Sequence, residues 1–131
     1  MLGMESMVID STVFVGYFRN NQKAINYLVN LREEIVTSRV VVMEIVAGLR
    51  SKSKITIMTG QLENLNVRIL EIDEAISKLA GEIFEKYHAT DGIGTMDAFV
   101  AATAMKYGNK LVTHNLKHFK MIKGLKLVAP Y

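Results

Sequence analysis

Short runs of apolar residues alternate along this chain with longer segments whose apolar side chains recur at helical spacing. The clearest helical pattern covers residues 73–88, where one side carries Ile76, Leu79, Ala80, Ile83, Phe84 and Tyr87. Predicted strands cover residues 7–9, 35–37, 67–72, 110–113 and 125–128. Predicted helices cover residues 12–18, 22–32, 39–49, 53–65, 73–88 and 96–107, with a break at Gly60. This alternation predicts an α/β sandwich of three layers, in which four or five mostly parallel strands carry helices on both faces.

The length of 131 residues predicts a single domain, with residues 1–6 as a candidate N-terminal extension. The absence of cysteine excludes disulfides, thiolate zinc sites and cysteine nucleophiles, and it is compatible with the cytoplasm, where we expect the protein. No apolar run approaches the ~20 residues that span a bilayer, so no membrane association is expected. The net charge of +3 is compatible with a nucleic-acid partner but too small to indicate one.

Three acidic residues stand in apolar surroundings. Asp10 follows the first predicted strand, at the sheet edge where α/β proteins bind ligands, although it could also serve as a capping residue. Asp97 opens a small-residue helix, where the helix dipole alone would favour an acid. Glu44 lies in the apolar stretch 39–49 and has no such alternative explanation. Clustered carboxylates without cysteine predict a shared Mg²⁺ or Mn²⁺ ion rather than zinc.

Four segments in order resemble the PIN domain, and specifically the VapC-like toxin ribonucleases of type II toxin–antitoxin pairs. They are VIDSTVFV, VVMEIVAGL, TMDAFVAATAMKYGNKLVTHN and HFKMIKGLKLV. The third is the most specific, because an acid, a small-residue helix, a glycine, a strand and Thr-x-Asn follow at the family's spacing. The resemblance covers about residues 7–128 and implies the PIN-like sandwich.

The resemblance also implies a metal-dependent endoribonuclease in which Asp10, Glu44 and Asp97 are the catalytic and metal-binding residues. Thr12 and Thr113 match hydroxyl residues that hold the site together. Asn115 departs from the family, since many PIN domains have a fourth acid there, and this puts a tightly bound second metal in doubt. Water activated by the metal would attack the phosphodiester and leave a 5′-phosphate. Asp91 is a weaker candidate for a fourth carboxylate.

Several basic side chains are candidates for contacts with RNA phosphates. They are Arg19, Arg39, Arg50, Lys52, Lys54, Lys117 and Lys120. Of the residues near the predicted site, Arg50, His114 and Lys117 are the ones we predict to bind RNA. The helices predicted at 22–32 and 53–65 carry more apolar residues than a monomer of this size needs. The family explains this surplus by a homodimer and a cognate antitoxin, and ordinary core packing is the alternative.

Two other classes of protein are alternatives for a chain with an aspartate after its first strand. A phosphotransferase of the haloacid-dehalogenase type needs a second aspartate at the position of Thr12, and a receiver domain needs paired acids near the end of the first strand. The stronger alternative is a PIN-fold binding module with little activity, which the departure at Asn115 permits.

Overall fold

Five parallel strands form the centre of the molecule. The structure is a computed structural model that describes residues 7–131, so the candidate extension at residues 1–6 lies outside the described residues. The strands are β1 (Met7–Ile9), β2 (Ile35–Ser38), β3 (Arg68–Leu70), β4 (Lys110–Val112) and β5 (Lys126–Val128). Their order across the sheet is β3-β2-β1-β4-β5, and every neighbouring pair is parallel. The predicted α/β sandwich with a mostly parallel sheet is confirmed.

Helices connect the strands and cover the sheet. They are α1 (Ser11–Phe18), α2 (Gln22–Val29), α3 (Arg39–Ala47), α4 (Lys52–Asn64), α5 (Glu74–Asp91), α6 (Thr95–Lys106) and α7 (Leu116–Phe119). The chain moves outward from β1 to β2 and β3, and then returns to the other side of β1 for β4 and β5. Right-handed crossovers on the two sides of this reversal place helices on opposite faces of the sheet. Within residues 7–131, no helix has both the length and the apolar character needed to cross a membrane.

The reversal of strand order sets the position of the candidate site. β1 lies between β2 and β4, so its carboxyl end meets the carboxyl ends of both neighbours. Val8 and Ile9 are fully buried, as expected for a central strand covered on both faces. Ligands of open α/β sheets bind where the strand order reverses. The residues that follow β1 and β4 are therefore the first candidates for a functional site.

α6 crosses this region with a face of very small side chains. Ala98, Ala101, Ala102 and Ala104 are buried, and α6 packs against α5, β1 and β4. Small side chains let the helix approach the sheet closely, which brings the first turn of α6 near the end of β1. The helical prediction for this segment is confirmed, with bounds shifted by one residue.

The predicted ends of several elements are wrong by a few residues. α2 ends at Val29 rather than at residue 32, and α5 continues to Asp91, where Gly92 ends it in the left-handed conformation at φ 73°. Asp91 is therefore helical and not part of a loop. The break predicted at Gly60 is also wrong, because α4 continues through it. A single glycine weakens a helix, but packing of Met58 and Leu62 against the core outweighs that cost.

Replacing Gly60 with alanine is expected to stabilise the protein. A Cβ atom at Gly60 would meet no heavy atom within 4 Å. Alanine also restricts the unfolded chain, so Gly60→Ala should raise the free energy of unfolding by roughly 0.5–1 kcal/mol. Urea denaturation measures this change.

Gly16 in α1 provides the matched control. A Cβ atom there would lie 3.0 Å from the Cβ of Ala24 and 3.1 Å from the hydroxyl of Tyr131. Gly16→Ala should therefore lower the free energy of unfolding, although both glycines are helical. Equal effects of the two substitutions would contradict the packing described here.

Candidate active site

Asp10 is a buried carboxylate at the end of β1. The residue is only 4% exposed and occupies the N-cap position of α1, but its side chain makes no capping hydrogen bond. The backbone N–H of Asp10 instead donates to Val112 O at 2.9 Å. α1 begins at Ser11, so neither Ser11 nor Thr12 is its N-cap. A carboxylate that does not cap its helix and yet is buried needs another partner.

Thr113 provides the strongest hydrogen bond to Asp10. Its Oγ1 donates to Asp10 Oδ2 at 2.8 Å, and Thr113 is fully buried just after β4. The other carboxylate oxygen, Oδ1, has only a long contact of 3.5 Å with Ser11 Oγ. Thr113 therefore fixes the orientation of Asp10 and leaves Oδ1 almost without a donor among the residues that the structure describes.

Backbone groups of the segment after β4 complete this arrangement. The N–H of Asn115 donates to Thr113 Oγ1 at 2.9 Å, and the N–H of His114 donates to Thr12 Oγ1 at 3.2 Å. These bonds tie the start of α1 to the end of β4. Asn115 contributes its backbone here, and its side chain makes no capping bond to α7. The structure thus brings together Asp10 and the predicted supporting residues Thr12, Thr113 and Asn115.

Asp97 lies in the first turn of α6, with its side chain 27% exposed. His118 Nδ1 is 3.3 Å from Asp97 Oδ2. Burial raises the pKa of Asp97. The nearby His118 lowers this pKa, and the negative charge of Asp10 raises it. Asp97 is therefore a half-buried carboxylate that contacts His118 and whose pKa is influenced by the charge of Asp10.

Glu44 belongs to the same electrostatic group but is not buried as the sequence indicated. Val42 and Ile45 beside it are buried, whereas Glu44 lies on the exposed side of α3. Its carboxyl group is nevertheless partly desolvated. Desolvation, followed by the charges of Asp10 and Asp97, raises the pKa of Glu44 to about 7. The expectation of a buried Glu44 is therefore wrong, although desolvation and the charges of the two aspartates both raise the pKa of its carboxyl group.

These residues fit a hard divalent cation. Within residues 7–131, no three acidic or histidine side chains already converge as a complete metal-ligand set. The available oxygen atoms nevertheless suit a metal ion. Asp10 Oδ1 belongs to a buried carboxylate and has only one long contact, at 3.5 Å. The negative charges of Glu44 and Asp97 repel this carboxylate. Oxygen donors suit Mg²⁺ or Mn²⁺, and a cation would relieve the repulsion among the three acids.

The predicted RNA-binding residues are exposed, whereas one further basic candidate is paired with an acid. Arg50, His114 and Lys117 are all exposed, and His114 and Lys117 follow β4 at the edge that carries Asp10. Arg39, another candidate, forms an ion pair with Glu71. Asp91, the weaker candidate for a fourth carboxylate, is exposed and accepts a hydrogen bond from Thr90 at 2.8 Å. The other basic candidates, Arg19, Lys52, Lys54 and Lys120, are exposed too, and Arg19 and Lys54 line the same cavity as Glu44.

His118 is the site residue that sequence reasoning missed. It is one of three histidines in the sequence. α7 turns His118 back toward Asp97. No pattern along the sequence indicated this role, because the contact joins residues of two different helices, α7 and α6.

The high pKa of Glu44 predicts that the stability of the metal-free protein falls as the pH rises. The folded chain binds the Glu44 proton more tightly than the unfolded chain, whose carboxyl has its ordinary pKa of 4.5. The stabilisation from Glu44 is therefore complete below its unfolded pKa and is lost as the pH rises through the folded pKa of about 7. Solvent screening reduces its size because Glu44 is exposed.

Thermal unfolding in EDTA between about pH 5 and pH 8 measures this effect. The melting temperature should decrease with pH in the wild type, and the decrease should be smaller in Glu44→Gln. Parallel pH profiles of the two proteins would contradict the coupling of Glu44 to the aspartates.

Comparisons with known proteins relate this chain to a larger group. The profile of the PIN domain family matches residues 7–125. Ribonuclease VapC19 of Mycobacterium tuberculosis is 30% identical over 128 residues, which cover 95% of this chain and 98% of the relative.

Two solved structures resemble this chain in fold. The structure of VapBC2 from Rickettsia felis, bound to a DNA fragment from their promoter, aligns with a TM-score of 0.78. The two sequences are 22% identical, and the alignment covers 93% of this chain and 96% of the matched chain. A toxin–antitoxin complex from Klebsiella pneumoniae aligns with a TM-score of 0.76 at 24% identity over 96% and 98%. At these identities the two solved structures establish the similarity of fold.

Proposed function

This chain belongs to the PIN domain family, and from that premise we propose that it is an endoribonuclease that hydrolyses RNA phosphodiesters with the help of a divalent cation. One observation carries the proposal: Asp10 is a buried carboxylate, held by the Thr113 hydroxyl at 2.8 Å, at the point where the strand order reverses. The raised pKa of Glu44 and of Asp97, to which desolvation and the charge of Asp10 contribute, supports the same site. The relative named ribonuclease VapC19, which aligns over nearly the whole chain, supports RNA as the substrate.

The side chains have separate roles in this proposal. Asp10 and Asp97 hold Mg²⁺ or Mn²⁺, and Glu44 either binds the same ion or orients a water molecule. When bound, the cation would supply Lewis-acid activation of the attacking water and neutralise charge on the phosphoryl oxygens. Thr113 holds Asp10 in place through its 2.8 Å hydrogen bond. His118 restrains Asp97, since its Nδ1 lies 3.3 Å from Asp97 Oδ2.

Protein partners form a second part of the proposal. We infer that the chain acts in the cytoplasm as the toxin of a toxin–antitoxin pair and that it forms a homodimer. The neighbours in fold include VapBC2 from Rickettsia felis bound to a DNA fragment and a toxin–antitoxin complex from Klebsiella pneumoniae. Large apolar side chains are exposed on α2 and α4, including Val29 at 60% and Ile57 at 62%. Ile57 also lines a cavity of about 400 Å³ between α1, α3 and α4, beside Glu44.

The alternative is a PIN-fold binding module with weak activity or none. Asn115 favours it, because a carboxylate at that position would have added a further metal ligand and the amide does not. The acids that remain argue for the enzyme, since three coupled carboxylates are costly to keep together without a cation.

The decisive experiment is RNA cleavage by the purified protein. A panel of structured RNAs is incubated with Mg²⁺ or Mn²⁺, with EDTA as the control. We expect metal-dependent fragments whose 5′-phosphate ends are substrates for a 5′-phosphate-dependent exonuclease. Metal-independent cleavage with 2′,3′-cyclic phosphate ends would overturn the mechanism, because the RNA 2′-hydroxyl would then be the nucleophile. Metal binding without any cleavage would favour the binding module.

A further inference from the structure

Three aromatic side chains from distant parts of the sequence meet beside the candidate active site. They are Tyr27 on α2, His114 just after β4, and Tyr131, the last residue of the sequence. The ring of Tyr131 lies 4.5 Å from the ring of His114 in an edge-to-face arrangement, and 6.1 Å from the ring of Tyr27. We call these residues the aromatic cluster.

Packing against α1 and α2 positions Tyr131. Its hydroxyl lies over Gly16, so close that a Cβ atom on this residue would be 3.1 Å away. The same Cβ would be 3.0 Å from Ala24, so the absence of a side chain at Gly16 makes room for both neighbours. Tyr131 is therefore seated in a defined position on the body of the protein.

The aromatic cluster is close to Asp10 along a continuous set of contacts. His114 directly follows Thr113, which donates to Asp10 at 2.8 Å. The backbone N–H of His114 is itself held by Thr12 at the start of α1. The contacts that orient the catalytic carboxylate thus also fix the backbone that carries the His114 ring.

Part of the aromatic surface remains open. Tyr131 is 45% exposed, and His114 is exposed as well. In an edge-to-face pair, only one ring face is covered by the partner, so other ring surface is available to a ligand. Aromatic rings that lie next to a phosphate-cleaving site are well suited to stack on a base of single-stranded RNA.

We propose that Tyr131 and His114 form a stacking subsite for the nucleobase next to the scissile phosphate. This inference rests on the proposed ribonuclease function. Every nucleobase presents a π face, so the subsite would strengthen binding without selecting strongly for one base. Tyr27 supports Tyr131 from α2 and is itself half-buried.

Binding is measured without cleavage, so that the test does not depend on activity. A short single-stranded RNA that contains 2-aminopurine is titrated with protein in EDTA, and stacking is read from the quenching of its fluorescence. Tyr131→Leu removes the aromatic ring and should weaken binding by about 5- to 100-fold. His114→Leu should act in the same direction. Tyr131→Phe keeps the ring and should bind like the wild type.

Tyr107→Leu is the matched control, because Tyr107 lies at the opposite end of α6 from Asp97. It should leave the quenching unchanged. Thermal melts of all four variants show whether each protein is folded. If folded Tyr131→Leu quenches and binds as well as the wild type, the subsite is refuted and Tyr131 serves only packing. If no protein quenches the probe, the subsite is likewise refuted.

The nuclease proposal and the stacking-subsite proposal are contradicted by different results. Loss of quenching in Tyr131→Leu together with an inactive wild type would retain the stacking subsite and refute the nuclease. Active wild-type protein whose KM for RNA is unchanged in Tyr131→Leu would retain the nuclease and refute the subsite. A higher KM at an unchanged kcat supports both.

Discussion

Asp10→Asn is expected to lower the rate of RNA cleavage by about 100- to 1,000-fold, the cost of removing one electrostatic group from a preorganised site. Asparagine has nearly the same shape, and its side-chain oxygen can still accept the hydrogen bond from Thr113 Oγ1. The substitution therefore removes the negative charge and keeps the local packing. Single-turnover cleavage of an end-labelled RNA in Mg²⁺ measures the effect.

The control for this prediction is Glu85→Gln, which removes one negative charge from an exposed position on α5. It should cleave RNA at the wild-type rate. Asp10→Asn should also be at least as stable as the wild type in EDTA, because one of three mutually repelling charges is gone. Full activity in folded Asp10→Asn would mean that the site assignment is wrong.

Mg²⁺ or Mn²⁺ is expected to raise the melting temperature on the order of 10 °C when the ion is about 100-fold above its Kd. A ligand that binds only the folded chain stabilises it by about 2.7 kcal/mol at that concentration. Here the ion would also offset the desolvation and the repulsion that raise the pKa of Glu44 and Asp97. Differential scanning fluorimetry with increasing metal concentration gives the shift.

The double variant Asp10→Asn/Asp97→Asn tests whether that shift comes from the proposed site. It should melt at the same temperature with and without metal. The shift of the wild type should be smaller near pH 6 than near pH 8, because protonation of Glu44, whose pKa is about 7, opposes cation binding. A metal-induced shift that survives in the double variant would place the binding site elsewhere.

The periodicity of the sequence was sufficient to predict the fold class. Every predicted strand corresponds to a strand of the sheet, and the long helical stripe of residues 73–88 lies within α5. The boundaries were less accurate, because helix ends depend on capping and packing. α5 runs three residues further to reach Gly92, and α4 passes through Gly60 because its neighbours Met58 and Leu62 are anchored in the core.

The candidate site was predicted only in part. Asp10 and Asp97 could be placed because one follows a strand and the other opens a helix, and both positions follow from local sequence. Glu44 was expected to be buried because its neighbours in sequence are apolar. Side chains of a helix point in directions about 100° apart, however, so Glu44 can be exposed while Val42 and Ile45 are buried.

The sequence by itself determined the alternation of strands and helices, the oxygen-only donor set and the approximate positions of the acids, since these depend on residue type and on spacing along one element. Only the tertiary structure decided what lies beside them. Thr113 meets Asp10, His118 meets Asp97, and Tyr131 meets His114. Each of these pairs joins residues from different elements, because the return of the chain across β1 brings separate segments to one edge of the sheet. Local periodicity contains no information about such distant contacts.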